Sequence, residues 1–169
     1  MTSTSPPNRT PDEASLNADI HFRVLRQFRQ VFSTVRKHFQ TMEKQAGLGG
    51  APIWAMSLIA KDPGIGISSL AKAMDIHQST ASNLVKVLLK DGYVLSEKST
   101  EDKRMTELYP LPKGLKLLKR VPGPYSGVLP EALKSMDPMT LAQLEQHLSL
   151  LLDKLDADEK SAQTPMALM

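Results

Sequence analysis

The chain has 169 residues, of which 41% are hydrophobic and 23% are charged, so it can form one folded domain with a real core, which excludes disorder as the default. Cysteine is absent, which excludes disulfides, thiolate metal sites and cysteine nucleophiles. No apolar run approaches the roughly 18 residues of a membrane span, and the opening MTSTSPP does not resemble a secretory signal, so we expect a cytoplasmic protein with no membrane partner.

The net charge of +3 is distributed unevenly along the chain. Residues 20–60 and 61–120 carry +5 and +4, whereas residues 1–19 and 121–169 carry −2 and −4. A basic middle is typical of a protein that binds a polyanion. An ordinary solvated surface is an equally simple interpretation at this charge density.

Two N-terminal segments differ in composition. Residues 1–18 are rich in Ser, Thr and Pro and are predicted to be a disordered arm. Residues 19–46 are predicted to form a dimerisation helix, because apolar residues recur at steps of three and four and need a partner along the whole helix. These residues are Phe22, Leu25, Phe28, Phe32, Val35, Phe39 and Met42.

Residues 51–111 show the pattern of a winged helix-turn-helix. Helices are predicted over 51–61, 69–74 and 78–90, with a strand stub at 65–67 and Ser68 as the cap of the middle helix. The apolar residues predicted to face inward are Leu70, Ala71 and Met74 in the middle helix and Ala81, Leu84, Val85, Leu88 and Leu89 in the third. Two strands, 93–96 and 105–109, enclose a charged loop and form the wing.

The C-terminal third is predicted to be helical again. Helices over 112–120, 130–136 and 138–156 make up a second dimerisation region at 112–156, with a break at Pro122-Gly123-Pro124 and a cap at Asp137-Pro138. The last helix carries a leucine stripe at positions 141, 144, 148, 151, 152 and 155. Residues 157–169 are predicted to be a flexible tail. The fold class is therefore mainly α with a small β-hairpin wing.

The polar face of helix 78–90 points to DNA recognition. Asn and Gln pair with adenine, Ser and Thr contact bases or phosphates, and Lys contacts guanine or phosphate. Only one of the six residues is charged, whereas a face that serves solubility alone usually carries more Lys and Glu. The alternative is an amphipathic helix with a solvated face. The six residues are Gln78, Ser79, Thr80, Ser82, Asn83 and Lys86.

The order and spacing of several motifs resemble the MarR family of bacterial transcription regulators over residues 20–156. The motifs are SSLAKAMDIHQSTASNLV at 68–85, DGYV at 91–94, DKR at 102–104 and PLPKG at 110–114. Three positions depart from the family pattern. His77 stands where a capping Ser is usual, so that helix is capped less well or by Asp75; Leu111 replaces a capping Thr; and Pro122-Gly123-Pro124 breaks a helix that is often continuous.

The resemblance implies how such a protein works. It implies a homodimer that binds a pseudo-palindromic operator in double-stranded DNA, and a repressor that a small ligand releases. Arg104 would enter the minor groove, held by Asp102, with Lys103 beside it, since a planar guanidinium suits a narrow electronegative groove. The alternative for this loop is a solvated ion pair.

The resemblance also implies an effector pocket between the dimer scaffold and the winged helix. An aromatic carboxylate would suit it, with apolar walls and a cation for the anion. The alternative is that its aromatic residues belong to the core and its arginine to the surface. The residues predicted to line it are Arg36, His38, Phe39, Trp54 and Met56.

Two other classes of function are alternatives to a DNA-binding regulator. An enzyme is disfavoured because the four histidines are scattered and the sequence has no nucleophile elbow and no glycine-rich phosphate loop. No cofactor and no metal are expected. The second alternative is a winged helix used for protein–protein contact without ligand control, which would bind nucleic acid without a steep salt dependence.

Overall fold

The computed structural model describes residues 13–99, 106–158 and 162–168. Its first helix, α1, spans Glu13–Ala46. It begins six residues before the predicted start, so residues 13–18 belong to the helix and not to the predicted arm. Residues 1–12 lie outside the described part of the chain.

The chain divides into two units, residues 1–34 and residues 35–169. In the first unit α1 exposes most of its apolar stripe; Phe22 is 60% and Phe32 is 59% exposed. The rings of Phe28 and Phe32 stack with centroids 6.2 Å apart. In the second unit the same stripe continues into the core, where Val35, Phe39 and Met42 are buried.

The core of the second unit is built around helix α2, Gly50–Lys61, which is buried along most of its length. Helices α3, Ile67–Met74, and α4, Gln78–Lys90, pack against it and against each other. Each contributes one apolar face, as the periodicity predicts: Leu70, Ala71 and Met74 from α3, and Ala81, Leu84, Val85 and Leu88 from α4. Leu89 was predicted to face inward, but it is exposed, because it lies at the edge of the α4 stripe.

Three antiparallel strands form a small sheet in the order β1-β3-β2. Strand β1 is the predicted stub, Ile65–Gly66, and it pairs with β3, Thr106–Pro110. Strand β2, Val94–Lys98, pairs with the other edge of β3, with Val94 opposite Pro110 and Lys98 opposite Thr106. The hairpin base therefore lies at Val94 and Pro110, and residues 100–105, the tip of the predicted wing, lie outside the described residues.

Three further helices follow the sheet. They are α5, Pro112–Arg120, α6, Val128–Lys134, and α7, Pro138–Leu155. The predicted break separates α5 from α6, and α6 lies two residues earlier than predicted. Asp137 caps α7 as predicted: its carboxylate accepts the backbone N–H of Thr140 at 2.9 Å, and this hydrogen bond lowers the pKa of Asp137.

Two other local predictions need correction. Ser68 does not cap α3, because the helix begins at Ile67, two residues earlier than predicted, and Gly66 occupies the cap position without a side-chain hydrogen bond. Residues 162–168 are not frayed: Pro165 is buried, and Met166 and Ala167 pack against the core at the start of a short 3-10 helix, Met166–Leu168.

Candidate nucleic-acid interface

Helix α4 presents the six predicted polar side chains on the face opposite its buried residues. Ala81 and Leu88 are fully buried, and Leu84 and Val85 nearly so, which fixes the rotation of the helix about its axis. Four members of the polar set are exposed: Gln78, Ser79, Asn83 and Lys86. Thr80 and Ser82 are half-buried at its border. An exposed helix face with this composition fits the major groove of B-DNA.

The turn before α4 sets its start. Asp75 ends α3 in the left-handed conformation, with φ of 54°, which Asp tolerates better than most residues. The backbone N–H of Ile76 donates to the carbonyl of Ala71 at 3.0 Å, so the chain reverses within three residues. His77 is the cap residue of α4, but its side chain makes no capping hydrogen bond. The prediction of weak capping is confirmed, and Asp75 closes α3 instead.

A hydrogen-bonded cluster stabilises the hairpin next to α4. The hydroxyl of Tyr109 donates to the carboxylate of Glu107 at 2.7 Å. Hydrogen bonds lower the pKa of Glu107, and the one from Ser99 has a larger effect than the one from Tyr109. The hydrogen bond to the Glu107 carboxylate in turn raises the pKa of Tyr109. Glu97 stands directly opposite Glu107 in the sheet, where like charges destabilise strand pairing. The hydroxyls of Ser99 and Tyr109 therefore stabilise the carboxylate of Glu107, which the carboxylate of Glu97 repels.

The predicted wing residues Asp102, Lys103 and Arg104 lie outside the described residues. Their proposed contact with the minor groove stays a prediction. The structure does describe the strands on both sides of them, and those strands form the hairpin that the prediction requires.

The end of α4 is attached to the start of α5. The ammonium of Lys113 donates to the carbonyl of Asp91 at 2.5 Å and lies 4.4 Å from the ring centroid of Tyr93. The N–H of Leu111 donates to the carbonyl of Tyr93 at 2.9 Å. Gly114 is buried against Tyr93 and Met56. These contacts place α5 at the end of α4 that is distant from Gln78.

The residues predicted to bind an effector are divided between core and surface. Met56 is fully buried and Phe39 is 6% exposed, whereas Trp54 is half-buried and Arg36 is exposed. The Nε2–H of His38 donates to the carbonyl of Pro124 at 2.9 Å, so this ring is already engaged. The packing around Phe39 could not be predicted from sequence: a methyl group at Gly50 or Gly127 would lie 2.6 or 2.8 Å from its ring.

The described residues form neither a metal site nor a membrane-spanning helix. No group of three or more His, Asp or Glu residues in the described part of the chain could hold a metal ion. None of the described helices combines the length and apolar character needed to cross a membrane.

The buried three-helix core, the small antiparallel sheet and the exposed polar helix define a winged helix-turn-helix protein. The model of the MarR family matches residues 54–106, which run from α2 to the first residue of β3. A candidate regulatory protein for the hcr operon of Thauera aromatica is 29% identical over 86 residues. Those residues are 51% of this chain and 52% of the relative, so the chain spans about half the length of the curated relative that it matches.

Several solved structures share the fold. Streptococcus pneumoniae FabT in complex with DNA has a TM-score of 0.51 at 18% identity, and the S. aureus MepR–DNA complex has 0.54 at 16%. A candidate MarR-like transcription regulator from Bacillus cereus has 0.52 at 24% identity. Each alignment covers 80% of this chain and 97% of the other.

The solved structures confirm the predicted winged helix-turn-helix fold, and the match to the MarR family model covers residues 54–106 of the chain. The Thauera and Bacillus proteins are both described as transcription regulators, in agreement with the expectation that the chain is not an enzyme.

Proposed function

We propose that the chain regulates transcription by binding double-stranded DNA as a homodimer, with α4 in the major groove. The observation that carries this proposal is the exposed face of α4, where Gln78, Ser79, Asn83 and Lys86 stand opposite a fully buried apolar stripe. Gln and Asn side chains near the start of a recognition helix read base edges, and Ser and Lys contact phosphates. Two structures with the same fold were solved with DNA, which supports DNA binding by this chain.

The wing completes the proposed contact. The hairpin extends from its base at Val94 and Pro110 toward Lys98 and Thr106, so the loop at its far end carries Asp102, Lys103 and Arg104. Arg104 enters the minor groove, and Asp102 orients its guanidinium. We expect Arg104→Ala to cost about 1–3 kcal/mol in DNA affinity and at most about 0.5 kcal/mol in stability.

Dimerisation is proposed because the helices outside the winged helix leave apolar faces uncovered. None of the side chains of α7 is buried, and its leucines at 148, 151, 152 and 155 are 36–65% exposed. Contiguous apolar surface of this kind marks an interface. Two copies related by a two-fold axis would place two α4 helices on half-sites about 34 Å apart, which requires a pseudo-palindromic operator.

Fluorescence anisotropy with labelled DNA from the chain's own upstream region tests the proposal. We expect specific binding that weakens steeply between 50 and 200 mM salt, because each phosphate contact releases counterions. Asn83→Ala and Gln78→Ala should change which operator bases are preferred, since base contacts specify and phosphate contacts position. Gln45→Ala, an exposed glutamine on α1, is the matched control.

The same experiment separates the alternative function. If Gln78→Ala and Asn83→Ala proteins are folded dimers and bind every DNA fragment as the unaltered protein does, then α4 does not read DNA. A protein whose weak DNA binding does not respond to salt would favour the protein–protein module.

Repression and its release by an aromatic acid belong to the proposal as well. The exposed guanidinium of Arg36 is the group available for a carboxylate, because the ring of His38 is bonded to Pro124. Trp54 offers a half-buried wall, and Phe39 and Met56 would have to repack to admit a ligand. A ligand that prefers a dimer with wrongly spaced α4 helices would release the operator. Calorimetry with benzoate and related acids, repeated with Arg36→Gln, tests this; no heat of binding, or binding that leaves operator affinity unchanged, contradicts it.

A further inference from the structure

Helix α5 carries a strongly basic face that the α4 interface does not use. Lys113, Lys116, Lys119 and Arg120 line a groove of about 530 Å³, and the helix sequence PKGLKLLKR contains no acidic residue. Its other face is anchored in the core through Leu117, which is 1% exposed. In the described part of the chain, no carboxylate lies within ion-pair distance of Lys116, Lys119 or Arg120.

The position of this face separates it from the DNA-reading residues. Lys113 contacts the carbonyl of Asp91, which caps the end of α4. The 13 residues of α4 place Gln78 about 20 Å from that end. The base of the hairpin, Val94 opposite Pro110, also lies at this end of the sheet. The α5 cations are therefore distant from Gln78, at the opposite end of the helix that is proposed to read bases.

An acidic surface of similar size lies at the end of α7. A groove of about 620 Å³ is lined by Asp153, Asp156 and Asp158 together with Ser149 and Leu152, and none of its lining residues is a cation. Asp156 ends the helix in the left-handed conformation, with φ of 48°. Residues 121–169 carry a net charge of −4, so the carboxylates are in excess throughout this part of the chain.

The acidic groove is continuous with the uncovered leucine face of α7. Leu152 lines the groove and is 51% exposed, and Leu148 and Leu155 lie one turn before and after it on the same helix. A partner that covers these leucines therefore also meets Asp153 and Asp156, and cations at that place would complement their charge. The α5 face of this same chain offers such cations, and Leu115 of the same helix is exposed.

We propose that the acidic end of α7 docks against the basic face of α5 in a second copy of the chain. The proposal rests on the homodimer of the proposed function, and it adds a defined ionic contact to it. A two-fold axis makes the contact occur twice per dimer. Exposed ion pairs are screened by salt, so the contact makes the dimer sensitive to ionic strength.

Charge reversal on each side tests the pairing in the full chain. The first variant is Lys116→Glu/Lys119→Glu, which leaves Lys113 on the Asp91 carbonyl. The second is Asp153→Lys/Asp156→Asn, since Asn tolerates the left-handed conformation at that position. The dimer dissociation constant is measured by sedimentation at 50 and 300 mM salt. We expect each variant to raise it at least tenfold at low salt and to lose most of the salt dependence.

Restoration is the decisive result. Mixing the two variants, or combining all four substitutions in one chain, pairs opposite charges again (−2 on α5 with +1 on α7) and should lower the dissociation constant at least threefold from that of either variant alone. Lys61→Glu/Lys72→Glu changes exposed cations on α2 and α3 by the same charge, and it should leave the dimer unchanged. Circular dichroism confirms that each variant is folded.

Each of the other outcomes refutes the pairing in a distinguishable way. A chain that is monomeric before any substitution overturns the homodimer and this contact together. A dimer that neither variant weakens overturns the contact alone and leaves DNA reading by α4 intact. Weakening without restoration shows that the two faces do not meet. Loss of inorganic polyphosphate or DNA binding by the Lys116→Glu/Lys119→Glu variant, with an unchanged dimer, makes α5 an anion site instead.

Discussion

Gly114 is the point where the winged helix-turn-helix holds α5, and replacing it with Ala tests that junction. An added Cβ would lie 2.5 Å from the carbonyl oxygen of Tyr93 and 2.5 Å from the Cε of Met56. The Met56 methyl is the end of a flexible side chain and can move. The Tyr93 carbonyl is backbone, and it accepts a hydrogen bond from Leu111 at 2.9 Å, so it cannot.

The size of the effect follows from these two contacts. A carbon–oxygen contact is comfortable at about 3.3 Å, so α5 must shift by nearly 1 Å or the Leu111 hydrogen bond must lengthen. Overpacking of this kind costs about 1–3 kcal/mol, and replacing Gly by Ala inside a helix returns up to about 1 kcal/mol. We expect Gly114→Ala to lower the free energy of unfolding by about 1–2 kcal/mol.

Urea denaturation followed by circular dichroism measures the change. Gly92→Ala is the matched control: it has φ of 68° with open space around it, so its cost of about 1–2 kcal/mol is backbone strain alone. If the clash with the Tyr93 carbonyl causes the loss of stability, the effects of Gly114→Ala and Met56→Ala on the free energy of unfolding should be nearly additive in the double variant. A Gly114→Ala protein as stable as the unaltered chain would refute the tight junction.

Three further changes have expected outcomes. His77→Ser should raise the free energy of unfolding by about 0.5–1 kcal/mol, because Ser supplies the missing cap of α4; an unchanged thermal midpoint would show that the first turn is already satisfied. Glu107 has a pKa below its usual value, so its carboxylate stabilises the folded chain at neutral pH and this contribution is lost as the pH falls through that lowered pKa; Glu107→Gln should flatten the acid limb of a stability–pH profile, and an unaltered limb would contradict the Ser99–Tyr109 cluster. Asp75→Val should cost about 1–2 kcal/mol in chemical denaturation because φ is positive there, whereas Asp75→Asn should cost little; equal effects would remove the conformational explanation.

The elements that sequence predicted best are those whose signals are local. Helix α4 begins at Gln78 and ends at Lys90 as predicted, because an apolar stripe of period 3.6 is followed directly by Asp91-Gly92. Helix α5 matches for a similar reason, with Pro112 in its first turn and Pro122 beyond its end. The Asp137 cap was predictable because capping depends on a residue three positions away.

The predictions that needed correction depend on contacts distant in sequence. Ser68 has good capping chemistry, but pairing of Ile65 and Gly66 with β3 moves the helix start to Ile67. The tail composition gives no sign that Met166–Leu168 packs against α2, because α2 lies more than a hundred positions earlier in the chain. The same reason hides the packing of Phe39 between Gly50 and Gly127.

The candidate site shows the same division. The polar face of α4 could be predicted because a single helix carries both the buried stripe that orients it and the side chains that read DNA. The basic face of α5 has an equally plain sequence, but its meaning depends on what lies opposite, and in the described chain no carboxylate pairs with Lys116, Lys119 or Arg120. A periodic pattern shows which residues share a face, whereas the partner of that face follows from unmatched charge and uncovered apolar surface in the folded chain. On α5 and α7 these two properties are complementary, and the charge-reversal pair tests that complementarity directly.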